Sequence, residues 1–469
     1  MLRDRYDPLN LFERIPTLGM QMDPVLAQMD TLLADDAIFQ MVKTDLLRRF
    51  PHTADDGRPS TPVEVILRML VVKHLYGWSF PATTRFVADS LVLRQFCRLY
   101  CETVPDQSTL NRWAQLIQPA TLHRLLEHIT QLACHLQVTQ GRQLRLDGTV
   151  VATNIHHPTD STLLNDGVRV LSRALGKATP LRQEGAAVAQ EASTDFAQQA
   201  RDKMKRIMEV ARQRGEAAAE RLKTTYRDLI DLTTTVVARA KHMQETLTAQ
   251  APATTQRAAR TLEQFIPLVE QVIAQTTRRV LWGEQVPASE KIVSLFEPDT
   301  AIIRKGKPGK PTECGRCLWL AEVEGGIISH YAVLDGNPDE KAQLPPSLDH
   351  HCHQFGHPPD LLTGDRGLHS GANERYAQQR GVPEVVLPKP GKKSAKRIAY
   401  EQQDWFRAGR NWRAGIEGRI SGLKRRHGLD RCGYHGTAGM ERWVGLGVIA
   451  HNLHVVARHL TACPKHTAA

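Results

Sequence analysis

From Pro62 the apolar positions Val63, Ile66, Leu67, Leu70 and Val71 fall three and four residues apart, which predicts one face of a helix. Pro81 permits a second helix, with Phe86, Val87 and Leu91 on its apolar side. In residues 104–113, Asp106 or Ser108 can cap a short helix carrying Arg112 and Trp113. At Gln143 the pattern changes. Residues 144–151 (Leu-Arg-Leu-Asp-Gly-Thr-Val-Val) are β-branched and roughly alternating, as in a strand. Helical spacing returns from about residue 163 to 282, as at Met204, Ile207, Met208 and Ala211, with a turn expected over 250–256. Residues 317–323 and 327–334 flank Gly325-Gly326 and predict a β-hairpin. A helical stretch from Asp339, strands over 359–365 and 382–388, and helices over 400–459 complete the chain. Without the helical block, the order is strand, hairpin, helix, strand, helix, strand, helix. That order describes a mixed α/β sheet interrupted by an insertion. The expected layout is an N-terminal segment (1–60), a helical domain (61–138), an α/β domain (139–162 and 290–460) and an all-helical insertion (163–289).

Charge changes the picture. The 469 residues carry 61 Lys and Arg against 50 Asp and Glu, a net +11. Between Lys389 and Arg431 there are 13 Lys and Arg against four acids, so most of the excess lies in one segment. Nucleic acid is the natural partner of such a segment, and a solvated charged face is the alternative. The loop carrying Lys392, Lys393 and Lys396 suits phosphate contacts, with flexible solvation as the alternative, and Trp405 and Trp412 suit core packing better than base stacking. The short helices ending in the Arg112 helix fit a helix-turn-helix-like DNA reader and a purely structural bundle equally well. No apolar run is long enough to span a bilayer, and residues 1–18 have no apolar leader, so a soluble intracellular protein is expected. Eight scattered cysteines argue against a disulfide scaffold. Cys314-x2-Cys317 without a clear second pair is a weak zinc signal.

Three acids stand out. Asp147 lies in a strand, and Asp365 follows one in Thr-Gly-Asp-Arg-Gly. Functional side chains gather at strand ends in open α/β sheets. Glu417 lies in a predicted helix, where Arg410, Arg413 and Lys424 fall within roughly 20–40° of it at about 100° per residue. One stripe thus presents a carboxylate flanked by cations, with Arg425 and Arg426 following. Gly415, Gly418 and Gly422 in the same stretch suit close approach to another backbone. Three carboxylates from separate segments can hold two Mg²⁺, and nearby cations can hold non-reacting phosphate oxygens.

These residues resemble the DDE-class transposases of bacterial insertion sequences that carry a Tyr-x2-Arg-x3-Glu-x6-Lys signature. Arg413, Glu417 and Lys424 match its last three positions, while Arg410 stands where the tyrosine would be. Asp147 and Asp365 match the first and second acids, and residues 58–113 resemble the helical N-terminal domain of one branch. The resemblance implies an α/β RNase H-like catalytic core with a mixed sheet, interrupted by the helical insertion and preceded by a helical DNA-binding domain. It implies cleavage at element ends to expose 3′-OH groups, followed by strand transfer. Asp147, Asp365 and Glu417 would be the catalytic metal ligands, for two Mg²⁺ with Mn²⁺ as substitute. Arg410, Arg413, Lys424, Arg425, Arg426, Lys392, Lys393 and Arg112 are the expected DNA contacts. The implied partners are terminal inverted repeats and target DNA, bound by a homodimer in the bacterial cytoplasm at the nucleoid. A structure-selective nuclease and a sequence-specific DNA-binding protein without catalysis are the rival readings. The insertion would cover DNA or make a dimer contact; a spacer is its alternative.

Overall fold

The computed structural model describes residues 3–6, 22–48, 60–178, 186–246, 253–304 and 312–463. The chain divides into two compact units, Met1–Asn154 with Arg316–Ala469, and Ile155–Gly315. It is mostly helical, with a mixed sheet of six strands.

Among the described residues, the N-terminal part of the first unit holds seven helices: α1 (Pro24–Leu32), α2 (Asp36–Leu47), α3 (Val63–Leu75), α4 (Phe80–Asp89), α5 (Leu91–Phe96), α6 (Gln107–Ala114) and α7 (Pro119–His135). Helices α1 and α2 fall within the N-terminal segment 1–60, where the residue pattern predicts no element. Asp23 and Asp35 cap them, and Met29, Ile38 and Val42 bury their apolar faces in the core that α3 enters. Short helices of this kind gain most of their stability from such packing. Buried Arg68 of α3 ties three helices together. It donates to Glu64, to Asp30 of α1 and to the Phe96 carbonyl of α5. As expected, Asp106 caps α6, accepting from the Ser108 and Thr109 backbone amides.

The sheet of this unit comprises β1 (Gln143–Ala152), β3 (Glu313–Val323), β4 (Ile327–Leu334), β5 (Leu361–Gly364) and β6 (Glu384–Val386), in the order β4-β3-β1-β5-β6. The strand β2 (Ala301–Ile303), which the sequence reading missed, pairs with residues 313–315 of β3 in the second unit. β3 and β4 form the expected antiparallel hairpin, whereas β5 runs parallel to both β1 and β6. The hairpin turn needs Gly325 and Gly326, whose φ values are +77° and +82°. Beside that turn, Glu324 accepts from the Gln140, Arg142 and Gln143 amides and so anchors the start of β1. The sheet is joined by α12 (Leu344–Phe355), α13 (Gly371–Gln379), α14 (Ala395–Glu401), α15 (Asp404–Arg426) and α16 (Gly436–Ala462).

The last helix explains why the helical domain and the sheet form one unit. α16 is buried on almost every side, as expected for a helix without a polar face. Leu446, Ile449 and Leu453 join the N-terminal core, while Val444, Val448, Val456 and Leu460 join the cores against the sheet.

The second unit contains α8 (Asp160–Ala178), α9 (Ala186–Val210), α10 (Glu216–Thr246) and α11 (Ala253–Thr276) around a core that includes Val168, Leu171, Leu229, Val236, Leu262 and Val269. The turn expected over 250–256 lies partly outside the described residues, and its second half is the first turn of α11. Among the described residues, no helix is long and apolar enough to cross a membrane.

Candidate active site

Strand register brings the first two acids together. Leu146 of β1 pairs with Gly364 of β5 in parallel, so Asp147 and Asp365 are the next residues on neighbouring strands. Adjacent strands lie only about 4.8 Å apart. Asp147 Oδ1 accepts from the Gly148 amide at 2.8 Å. Asp365 begins a single 3₁₀ turn, Arg366–Leu368, and its Oδ1 accepts from the Leu368 amide at 3.2 Å.

The third acid comes from α15. Arg413 Nη2 lies 3.4 Å from Asp147 Oδ2 and 3.8 Å from Glu417 Oε1, so one guanidinium bridges the sheet acid and the helix acid. Glu417 is 70% exposed, whereas Asp147 is only 14% exposed. The helix acid therefore faces solvent at the rim, and the strand acid forms the floor.

A buried charge network holds α15 in place. Glu322 of β3 is fully buried and receives Arg145 of β1 through Nε at 2.9 Å and Nη2 at 2.5 Å. Arg419 of α15 donates to the same carboxylate at 3.0 Å. Arg145 also donates through Nη1 to the Trp412 carbonyl, and its guanidinium lies 4.6 Å from the Trp412 ring centre. Gly415 makes room for it: a Cβ there would sit 2.5 Å from Arg145 Nη1. The close approach expected at Gly415 is thus made by a side chain rather than another backbone. Among the described residues, nothing beyond the helix's own neighbouring backbone lies within 4 Å of a Cβ placed on Gly418 or Gly422.

The remaining predicted contacts divide by location. Arg410, Arg425 and Arg426 are exposed on α15, and Lys424 is half-buried there. Arg112 is exposed on α6, opposite buried Leu110 and Trp113. Lys392 is exposed, whereas Lys393 is engaged by Glu401, which Arg397 and the Lys389 amide also contact. Burial pushes the Glu401 carboxyl up, but those donors outweigh it and hold it down to about 2.

Sequence reading missed Glu340, which opens a 3₁₀ turn after β4. Its carboxylate lies beside both aspartate loops. A Cβ on Gly148 would sit 3.0 Å from Oε1, and one on Gly367 would sit 3.3 Å from Oε2. Its only sequence signal was its place after the hairpin, next to the capping residue Asp339. Among the described residues, no group of three or more His, Cys, Asp or Glu is arranged to hold a metal ion. The site nonetheless offers only oxygen donors among its acids, the ligand type that Mg²⁺ prefers.

An aspartate on β1, a second just past the end of the neighbouring parallel strand and a helix that adds a glutamate between cations make an arrangement that fits a DDE domain with an RNase H-like core. Two stretches of the chain match known families. Residues 19–116 match a transposase domain family (DUF772), and residues 380–457, which include Glu417, match a transposase DDE domain family. No curated protein and no solved structure matches the chain. Both matches are to transposase domains, one towards each end of the chain, so in these two stretches the chain is similar to DDE-type insertion-sequence transposases.

Proposed function

We propose that the protein is a Mg²⁺-dependent DNA transposase that cleaves at the ends of an insertion sequence and joins the freed 3′-OH groups to target DNA. The observation that supports this most directly is the adjacency of Asp147 and Asp365, with Arg413 linking Asp147 to Glu417. Asp147, Asp365 and Glu417 are the residues that would hold the ions, with Mn²⁺ as a possible substitute. When bound, such ions activate the attacking oxygen and stabilise the leaving one in an in-line displacement.

The chain's own part is positioning. The sheet fixes the two aspartates, and Arg145, Glu322 and Arg419 fix the helix bearing Glu417. Arg413 balances two carboxylates in the free protein, and a scissile phosphate offers its guanidinium a bidentate alternative. Arg410, Lys424, Arg425 and Arg426 line the same helix and hold flanking phosphates. Lys392 and Arg112 extend the contact along DNA, and Lys393 joins them only on leaving Glu401. The protein works as a homodimer on terminal repeats and target DNA, at the bacterial nucleoid.

The test is an end-cleavage and strand-transfer assay on DNA bearing the inverted repeats that flank the gene. Asp147→Asn, Asp365→Asn and Glu417→Gln should each lower Mg²⁺-dependent cleavage by at least about a hundredfold while sparing DNA binding. Cleavage without joined products would instead indicate a nuclease. Binding with no cutting, unchanged by Asp147→Asn, would indicate a DNA-binding regulator.

A further inference from the structure

At the C-terminal end of α15, beyond the acids, the first unit contains a cleft of about 740 Å³. That lies within the roughly 300–1,000 Å³ typical of ligand sites. Val25, Leu26, Met29, Leu75 and Tyr76 supply apolar wall, while Arg425, Arg426, Arg458 and His454 supply basic groups. Asp23 also lines it, but its Oδ1 accepts from the Val25 and Leu26 amides. Among the described residues, no carboxylate pairs with Arg425, Arg426 or Arg458. Burial, followed by the charges of Arg458 and Arg426, holds the His454 imidazole below its ordinary pKa, as expected in a positive field.

The cleft also has an aromatic platform. Tyr76 is 45% exposed and stacks on Trp78, with ring centres 4.6 Å apart and planes 18° from parallel. Trp78 is backed in turn by Phe86. The platform is fastened to α15. A Cβ on Gly77 would sit 3.1 Å from the Arg426 carbonyl, and His427 Nδ1 lies 3.2 Å from the His74 carbonyl.

We propose that this cleft binds an unpaired nucleotide of the DNA strand that α15 carries past the active site, its base against Tyr76 and its phosphates on Arg425, Arg426 and Arg458. A flat ring with an apolar wall accepts any base by its face, and unpartnered arginines accept the phosphates. A partner protein is a poorer fit, because Asp23, the acid that lines the cleft, is spent on capping α1, and the exposed ring is a small flat platform beside cations. Arg425 lies eight residues beyond Glu417, about 12 Å along a helix. The cleft thus stands at least that far from Glu417 along α15. This placement rests on the transposase reading; the preference for an unpaired base does not.

The experiment is fluorescence anisotropy of the full-length protein with a labelled 20-nucleotide oligo-dT and, separately, a 20-base-pair duplex. Tyr76→Ala should weaken oligo-dT binding about tenfold and duplex binding less than twofold, while Tyr76→Phe should restore it. Arg458→Ala should weaken oligo-dT binding and lower the slope of log affinity against log salt by about one. Unchanged oligo-dT affinity in Tyr76→Ala would overturn the proposal, as would an equal loss on both DNAs. Because the readout is binding, failure here leaves Mg²⁺-dependent end cleavage intact. Failure of end cleavage with selective oligo-dT binding preserved would sink the transposase reading alone.

Discussion

Replacing Glu322 with Ala should damage both stability and the active site. The carboxylate is fully buried and faces two guanidiniums, one of them, Arg145, only 7% exposed. Its removal leaves the Arg145 charge without a counterion inside the sheet. Breaking a buried pair from one side typically costs about 3–5 kcal/mol. For a unit this large, about 2 °C per kcal/mol is a reasonable conversion, which gives a drop of roughly 6–10 °C in the melting temperature. Differential scanning calorimetry of the full-length protein would measure it. Removing the charge from both sides, as in Arg145→Met with Glu322→Leu, should recover most of the loss, because buried pairs contribute little over apolar groups of similar size. Arg419 is 30% exposed and can turn to water in that double variant. Because Arg145 and Arg419 also tie down the helix that carries Glu417, Glu322→Ala should lower end cleavage more than DNA binding. A Glu322→Ala protein that melts within 1 °C of the parent would refute the reasoning. So would a double variant that melts no higher than the single one.

Other expectations follow from local chemistry. Burial lowers the Lys73 amine to about 7, a little offset by Cys432, among the rings of Phe80, Tyr434 and Trp443. The unfolded chain, with an ordinary lysine, binds more protons between about pH 7 and 10, so stability rises with pH there. Lys73→Met should therefore stabilise the protein relative to the parent most at or below pH 7, and melting curves at pH 7 and 9.5 should show that difference shrinking. A constant difference would contradict the depressed pKa. Gly325→Ala should cost about 1–3 kcal/mol, because φ is +77° and the new methyl would strike the Val138 carbonyl; a denaturant midpoint equal to that of the parent would rule this out. Lys392→Ala with Lys396→Ala should weaken binding to all DNA sequences and flatten its salt dependence by about two in slope; an unchanged slope would remove both from the phosphate contacts.

Much of the candidate site was legible along the chain because its residues are marked in local terms. Alternation marked β1 around Asp147, a strand followed by Gly-Asp-Arg-Gly marked Asp365, and spacing of three to seven residues put Arg410, Arg413, Glu417 and Lys424 on one face of α15. The hairpin and its glycine turn were equally visible, since turn geometry depends on neighbouring residues. The missed elements have less local signal. β2 has three residues and stands only by pairing with β3, while α1 and α2 are stabilised by burial against distant helices. Glu340 gave no motif, because what places it beside Gly148 and Gly367 is the path of the chain between two strands.

The sequence by itself determined which residue types could do the chemistry and which helix or strand each would ride, since periodicity and capping act over a few residues. Only the tertiary structure decided who meets whom. Parallel register set Asp147 beside Asp365, the buried Glu322 drew α15 onto the sheet, and α16 joined the N-terminal helices to the sheet. The cleft beside Tyr76 likewise arises where segments some 350 residues apart in the chain come together. Such contacts depend on packing and long-range pairing, whose energies no local window of residues contains.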